Sequence, residues 1–148
     1  MRAHNFIPIL ICCLIIILLY FTLSNSSNKN EELSDLKLEL INDEVLDLSE
    51  FQGRPYIIRF FASWCAACKE DGPKLKELSR KMNAPIIGVA VGDSKEKIER
   101  LPNEQLPYDY IYIDESNRVK NLLKNRMLPE TIIIDVEGNV ALRHVGSL

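Results

Sequence analysis

Residues 56–72 read YIIRFFASWCAACKEDG, and the expected class of fold follows from this stretch. Residues 56–61 form a nearly continuous apolar run of strand length, which is typical of a parallel strand buried on both faces. Cys65 and Cys68 come directly after this run. Apolar residues at helical spacing then follow, namely Leu75, Leu78 and Met82. The order of strand, CxxC and helix predicts a layered α/β domain with two thiols at the start of a helix, which Pro73 is expected to kink.

The two cysteines are predicted to form a redox pair. A helix N-terminus carries unpaired N–H groups and the positive end of the helix dipole, and both stabilise a thiolate. The pKa of the Cys65 thiol is therefore predicted to lie below the free value of about 8.5. Cys68 lies one turn later, within reach for a disulfide and better shielded. We expect Cys65 to attack a partner disulfide and Cys68 to release the partner from the mixed disulfide.

Two other interpretations of the CxxC pair remain open at this point. A zinc site needs about four ligands, but the chain has no second CxxC, and its two histidines are His4 and His144. Neither a metal nor a cofactor is predicted on this basis, although a copper site that recruits His144 stays as an alternative. The second interpretation is a structural disulfide, which would be an inefficient crosslink because so short a loop constrains little of the unfolded chain.

The rest of the domain alternates between strand and helix patterns. Residues 36–40 and 45–48 predict a hairpin around a turn at 42–44. Further strands are predicted at 86–91, 110–113, 131–136 and 140–144. Short helices are predicted at 94–101, where Asp93 and Glu96 resemble a capping box, and around 119–123. These elements predict a central mixed sheet flanked by helices.

The N-terminal residues predict a membrane anchor. Residues 6–23 carry no charge and would span about 27 Å as a helix, close to the hydrocarbon thickness of a bilayer. We expect residues 1–24 to form a cytoplasmic tip and an uncleaved transmembrane helix, residues 25–35 a polar tether, and residues 36–148 the folded domain. Cys12 and Cys13 are interpreted as apolar side chains of this helix. The weak cation bias favours an N-terminus inside the cytoplasm and a domain outside it.

Three stretches resemble one known family. They read DLSEFQGRPYIIRF, FFASWCAACKEDGPKLKEL and RMLPETIIIDVEGNVALRHVG. Together they make residues 36–148 similar to the membrane-anchored thioredoxin-like proteins of the DsbE/CcmG type, within the TlpA/ResA group. The pattern PETxxIDxxGxxxxRHxG at 129–146 is similar to the branch that serves cytochrome c biogenesis. The resemblance implies a thioredoxin-like fold, the activity of a thiol:disulfide oxidoreductase, and Cys65 and Cys68 as its catalytic residues.

The resemblance also implies residues that bind the substrate. Pro129 matches the cis-proline that faces the disulfide in thioredoxin folds, and Leu128 occupies the position before it. A cis X–Pro bond at this position leaves the neighbouring backbone free to pair with an incoming peptide. Trp64 is expected to shield the cysteines and to offer a docking surface.

Arg59, Asp71 and Leu128 depart from the family pattern, Leu128 because relatives commonly have a small residue there. Arg59, Asp71 and Glu70 are the residues expected to tune the thiol pKa. Where relatives often carry a glutamate three residues after the second cysteine, this chain has Asp71, preceded by Glu70. Arg59 stands where thioredoxin has its buried aspartate, and a positive charge near the cysteines would favour the thiolate. Relatives also usually continue into a helix after the last strand, so with Leu148 as its last residue this chain is expected to lack a C-terminal helix.

The implied function is the reduction of disulfides outside the cytoplasm. The expected partners are apocytochrome c or a cytochrome c maturation chaperone as substrate, and a membrane electron carrier of the DsbD/CcdA kind as donor, because the periplasm is oxidising. A general extracytoplasmic disulfide reductase of the ResA/TlpA type and a non-enzymatic copper-binding module are the alternatives. The net charge of −3 argues against a nucleic-acid partner.

Overall fold

The structure is a computed structural model that describes the backbone of residues 7–148 and the side chains of residues 8–21 and 32–148. The described helices are α1 (Ile7–Ser34), α2 (Ala66–Glu70), α3 (Gly72–Met82), α4 (Lys95–Glu99) and α5 (Arg118–Leu122). The strands are β1 (Lys37–Glu39), β2 (Val45–Asp47), β3 (Tyr56–Phe61), β4 (Ile86–Ala90), β5 (Tyr110–Ile113), β6 (Glu130–Ile134) and β7 (Val140–Val145). Short 3-10 turns occupy Leu48–Phe51 and Asn103–Gln105.

The central sheet has the strand order β5-β4-β3-β6-β7. Strands β3, β4 and β5 run parallel, whereas β6 and β7 are antiparallel to their neighbours. Every residue of β3 and of β4 is buried, as expected for central strands that are covered on both faces. The prediction of a thioredoxin-like α/β fold with a central mixed sheet is confirmed.

Each face of the sheet has its own apolar core. On one face the β1–β2 hairpin and the Leu48–Phe51 turn pack against Ile58, Phe60 and Ile132. On the other face Leu75 of α3 packs against Ile57 and Ile86. The loops that follow β3 and precede β6 therefore meet at one end of the sheet, on a support that is packed from both sides.

The N-terminal segment differs from its prediction. Helix α1 is continuous from Ile7 to Ser34, so the residues of the predicted tether are helical and Leu33 is buried in the domain core. The transmembrane helix predicted within residues 1–24 is not confirmed, since no helix in the described part of the chain is apolar over a length that would cross a bilayer. Residues 24–34 of the same helix read SNSSNKNEELS and are predominantly polar. The cytoplasmic tip lies outside the described residues.

Two local helix predictions are corrected. The helix expected to kink at Pro73 is two helices that break at Asp71, because Pro73 stands in the first turn of α3 and has no N–H to continue the hydrogen bonds of α2. The helix expected at 94–101 is shorter, and Ser94 rather than Asp93 is its N-cap residue. The carboxylate of Asp93 instead binds the loop that leads into the CxxC pair.

Candidate functional site

Cys65 and Cys68 form a disulfide at the start of α2, with their Cα atoms 5.3 Å apart. Cys65 is the N-cap residue of the helix, and its sulfur accepts a hydrogen bond from the backbone N–H of Cys68 at 3.2 Å. The exposed fraction is 8% for Cys65 and 3% for Cys68. The cysteines therefore lie at a helix start as predicted, and Cys65 is the one that a partner reaches more easily.

The loop before β6 forms the other wall of the site. The Leu128–Pro129 peptide bond is cis, as the resemblance implied, and Pro129 is buried. Leu128 packs against the apolar cluster that contains both cysteines. Trp64 is exposed and lines, together with Leu128, a surface groove of about 450 Å³. The structure thus brings together the three residues that were predicted to bind a substrate.

A carboxylate that the sequence analysis missed holds the loop in front of the cysteines. Both oxygens of Asp93 accept hydrogen bonds from Ser63, one from the backbone N–H at 2.5 Å and one from the hydroxyl at 3.0 Å. Ser63 precedes Trp64 and Cys65 directly. No local pattern could reveal this contact, because Asp93 lies 30 residues further along the chain and next to a helix start that offered it a different role.

The two predicted tuning residues Arg59 and Asp71 form a buried ion pair. The Arg59 side chain is inaccessible to solvent, and its Nη2 donates to Asp71 Oδ2 at 2.5 Å. Its Nη1 donates to Thr131 Oγ1 at 2.5 Å, while Nε has no hydrogen-bond partner among the described residues. Asp71 also accepts from the backbone N–H of Leu148 at 3.0 Å. Glu70, the third predicted tuning residue, is exposed and lies outside this pair.

A second ion pair fixes the loop that carries the cis-proline. Buried Glu130 accepts hydrogen bonds from Arg143 Nη1 and from Asn125 Nδ2. The same Asn125 nitrogen also donates to the carbonyl of Met127 at 2.9 Å, and Arg143 Nη2 donates to the carbonyl of Leu123 at 2.6 Å. These contacts tie the 123–127 backbone to β6 and β7. The sequence analysis quoted Glu130 within its motif and assigned it no role.

The structure also places the histidine of the copper alternative and the two N-terminal cysteines. His144 lies on β7, where its Nε2 is 2.8 Å from the carbonyl oxygen of Ser147. The thiols of Cys12 and Cys13 are free and exposed on α1. Among the described residues, no group of three or more His, Cys, Asp and Glu side chains is arranged to hold a metal ion.

Comparisons with known proteins agree on one family. Residues 29–143 match the AhpC/TSA family. The thiol:disulfide interchange protein DsbE of Vibrio cholerae is 31% identical over 106 residues, which are 71% of this chain and 57% of that protein. The thiol-disulfide oxidoreductase ResA of Geobacillus kaustophilus is 30% identical over 104 residues, which are 68% of this chain and 60% of that protein.

A solved structure with low sequence identity also supports the fold. It is a secreted Mycobacterium tuberculosis disulfide oxidoreductase homologous to E. coli DsbE, similar with a TM-score of 0.65 at 15% identity. The match covers 74% of this chain and 83% of that one. The chain spans somewhat less than two thirds of the length of the DsbE and ResA relatives.

Proposed function

The chain belongs to the AhpC/TSA family of thioredoxin-like proteins, and we propose that it is a thiol:disulfide oxidoreductase that acts through Cys65 and Cys68. The observation that carries the proposal is the Cys65–Cys68 disulfide at the start of α2, packed with Leu128 next to a cis-proline. The names of the DsbE and ResA relatives support the same activity.

The proposed reaction is a two-step exchange between dithiol and disulfide. The Cys65 thiolate of the reduced protein attacks one sulfur of a partner disulfide, and the other partner sulfur leaves as a thiolate that takes up a proton. The Cys68 thiolate then attacks the Cys65 sulfur and releases the partner's second thiol. The partner gains two electrons and two protons, and the protein ends with the Cys65–Cys68 disulfide that the structure contains.

Trp64, Leu128 and Pro129 are proposed to bind the partner during this exchange. Trp64 and Leu128 line one groove, so an apolar side chain beside the partner cysteine has a surface to pack on. Asp93 is proposed as a positioning residue, because its two hydrogen bonds to Ser63 fix the loop that presents Cys65.

Arg59 and Asp71 are proposed to tune the thiols as a pair rather than as separate charges. Asp71 follows α2 directly and compensates the Arg59 charge, so the pair presents a dipole instead of an isolated cation to its surroundings. Glu70 is exposed on the same short helix, and any influence of its charge on the thiols is weakened by solvent.

The proposed direction is reduction, with apocytochrome c or a maturation chaperone as substrate during cytochrome c biogenesis. The similarity to DsbE and to ResA supports this choice and also its broader alternative, a general extracytoplasmic disulfide reductase. We place the domain on the periplasmic side of the inner membrane, with an electron donor of the DsbD/CcdA kind. The exposed apolar side chains at 9–21 of α1 support association with the membrane.

A trapping experiment tests the activity and its partner together. In the Cys68→Ala protein, the mixed disulfide on Cys65 has no resolving thiol, so we expect it to accumulate and to retain the natural partner for identification by mass spectrometry. The Cys65→Ala protein is the matched control and should trap nothing. Equal trapping by both variants would contradict the assigned roles, and a redox potential near that of strongly oxidising CxxC proteins would contradict the direction.

A further inference from the structure

Two surface grooves meet beside the redox pair. The first, of about 450 Å³, is lined by Trp64, Lys120, Arg126, Met127 and Leu128 among others. The second, of about 360 Å³, contains Lys124, Val145 and again Arg126 and Met127. Because they share Arg126 and Met127, they form one continuous surface, which we call the basic groove.

The basic groove has an exposed apolar floor next to the cysteines. Trp64 and Met127 are 65% and 61% exposed and line the same groove, so they form one apolar surface rather than isolated exposed side chains. Trp64 immediately precedes Cys65 in the sequence, and Leu128 packs against the apolar cluster that contains both cysteines. An apolar side chain that occupied this floor would lie within a few residues of any sulfur that Cys65 attacks.

The rim of the basic groove is cationic, although the whole chain carries a net charge of −3. Residues 116–129 read SNRVKNLLKNRMLP and contain four cations and no acidic residue. In the described part of the chain, Lys120, Lys124 and Arg126 form no ion pair with an acidic side chain. The one acid that lines the surface, Glu130, is buried and already bound to Arg143. The cationic rim is therefore not compensated within the domain.

We propose that the basic groove selects an acidic protein segment, one in which the target disulfide is flanked by carboxylate side chains and an apolar residue. The apolar residue packs on Trp64 and Met127, and the carboxylates approach Lys120, Lys124 and Arg126. This inference rests on the proposed exchange activity and specifies the class of substrate for it. The charge complementarity acts on the rate of encounter and on the orientation in which the disulfide arrives.

The expected size of the preference follows from the exposure of the cations. Exposed ion pairs are individually weak, each giving about a twofold effect, so three cations give roughly a tenfold preference at low salt. The Debye length falls from about 30 Å at 0.01 M to about 3 Å at 1 M salt, so the preference should largely disappear at high ionic strength.

The test measures second-order rate constants of the reduced full chain with three disulfide peptides. The peptides share one cyclic disulfide and one flanking aromatic residue, and they differ in carrying three Glu, three Gln or three Lys residues. We expect the Glu peptide to react about tenfold faster than the Gln peptide at low salt and less than about twofold faster at 1 M salt, with the Lys peptide the slowest at low salt. A small uncharged disulfide reagent reports the intrinsic reactivity of Cys65.

A matched pair of variants assigns the effect to the basic groove. Lys120→Gln, Lys124→Gln and Arg126→Gln combined should slow the Glu peptide by about fivefold to tenfold and leave the uncharged reagent unchanged. Lys76→Gln, Lys97→Gln and Arg100→Gln remove the same charge from exposed positions that line neither groove, and should leave the difference between the peptides intact.

The outcomes separate this inference from the activity on which it rests. Equal rates for the three peptides, or equal losses in the two triple variants, would overturn the acidic preference while exchange with the uncharged reagent upheld the activity. The salt dependence of the unmodified protein tests the same preference without any variant that must fold. Failure to react with any disulfide would contradict the proposed exchange activity, and therefore also the proposed class of substrate.

Discussion

Two arginine–carboxylate ion pairs make contacts with neighbouring residues of β6, Thr131 and Glu130, and the two pairs differ in solvent exposure. In the closed pair, the side chains of Arg59 and Asp71 are 0% and 3% exposed, and Thr131 takes a further guanidinium hydrogen bond. In the open pair, Arg143 is 32% exposed and Glu130 is 3% exposed. Because successive strand residues point to opposite faces, the pairs lie on the two sides of the sheet.

The two pairs differ in what can solvate the arginine when its carboxylate partner is removed. Water can reach Arg143, so its charge stays solvated when its carboxylate is removed. Arg59 has no such access, and its Nε already lacks a hydrogen-bond partner among the described residues. A buried charge without its counterion costs far more than a half-exposed one. We therefore expect the two residues of the closed pair to be strongly coupled in their effect on the free energy of unfolding. The open pair should mainly hold the loop before β6 in place.

The largest effect is expected from Asp71→Asn. The substitution keeps the size of the side chain and a hydrogen-bond acceptor, but it leaves the Arg59 charge buried and uncompensated. We expect the free energy of unfolding to fall by about 3–5 kcal/mol, measured by urea denaturation of the oxidised full chain.

The control for Asp71→Asn removes the charge as well as its partner. The double variant Arg59→Met and Asp71→Asn has no buried charge, so it should recover at least half of the lost free energy. If the double variant is less stable than Asp71→Asn alone, the two residues do not act as a unit and the comparison between the pairs loses its basis.

A smaller loss is expected from Arg59→Lys. The charge is retained, but an ammonium group cannot hold Asp71 and Thr131 in the geometry of the planar guanidinium. We expect a loss of about 2–3 kcal/mol in the free energy of unfolding, again from urea denaturation. Arg143→Lys is the matched substitution in the open pair, and a loss there as large as that of Arg59→Lys would contradict the distinction by burial.

Glu130→Gln should cost less than Asp71→Asn, about 1–2 kcal/mol. Glutamine keeps an acceptor for Asn125 or Arg143, and Arg143 remains partly solvated and bonded to the carbonyl of Leu123. The same urea measurement checks this value. Because Asn125 connects Glu130 to the Met127 carbonyl, we also expect faster amide hydrogen exchange in the 124–128 loop, which Asp71→Asn should not produce selectively.

Sequence patterns predicted the layers of this fold but not its buried charges. The apolar runs specified β3 and β4, and the CxxC spacing placed Cys65 at a helix start, because burial and local geometry depend on neighbouring residues. Arg59 could be noted only as a departure, since its partner Asp71 comes close only after the break between α2 and α3 has formed. The contact between Asp93 and Ser63 depends in the same way on packing between distant segments.

The transmembrane prediction rested on a local pattern alone, and it is not confirmed in the described part of the chain. The charge-free run at 6–23 matches the length of a bilayer, and the helix that contains residues 7–23 continues through polar residues to Ser34, with Leu33 buried in the domain core. Hydropathy describes the composition of a segment, and only the packing of its ends shows how the segment joins the domain.

The smallest expected effect is on the free energy of unfolding at high pH, and it comes from Tyr108, which lies near the closed pair. Burial raises the pKa of Tyr108, and Arg59 and Asp71 act on it in opposite directions. The unfolded tyrosine loses its proton near pH 10, whereas the folded one keeps it to higher pH. Above pH 10 the unfolded state therefore binds fewer protons, and the free energy of unfolding falls as the pH rises.

Tyr108→Phe should remove this contribution. We expect the loss of free energy of unfolding between pH 9 and pH 11 to shrink by about 1 kcal/mol, measured by urea denaturation across that range. Tyr56→Phe is the matched control, because burial also raises the pKa of Tyr56, which packs with Phe51 in the core that contains the hairpin. In the Asp71→Asn background, burial, the largest cause of the raised pKa, still acts on Tyr108, so the effect of Tyr108→Phe should persist, as should that of Tyr56→Phe. Loss of the Tyr108→Phe effect in that background would show that the closed pair, rather than burial, keeps the Tyr108 proton bound at high pH.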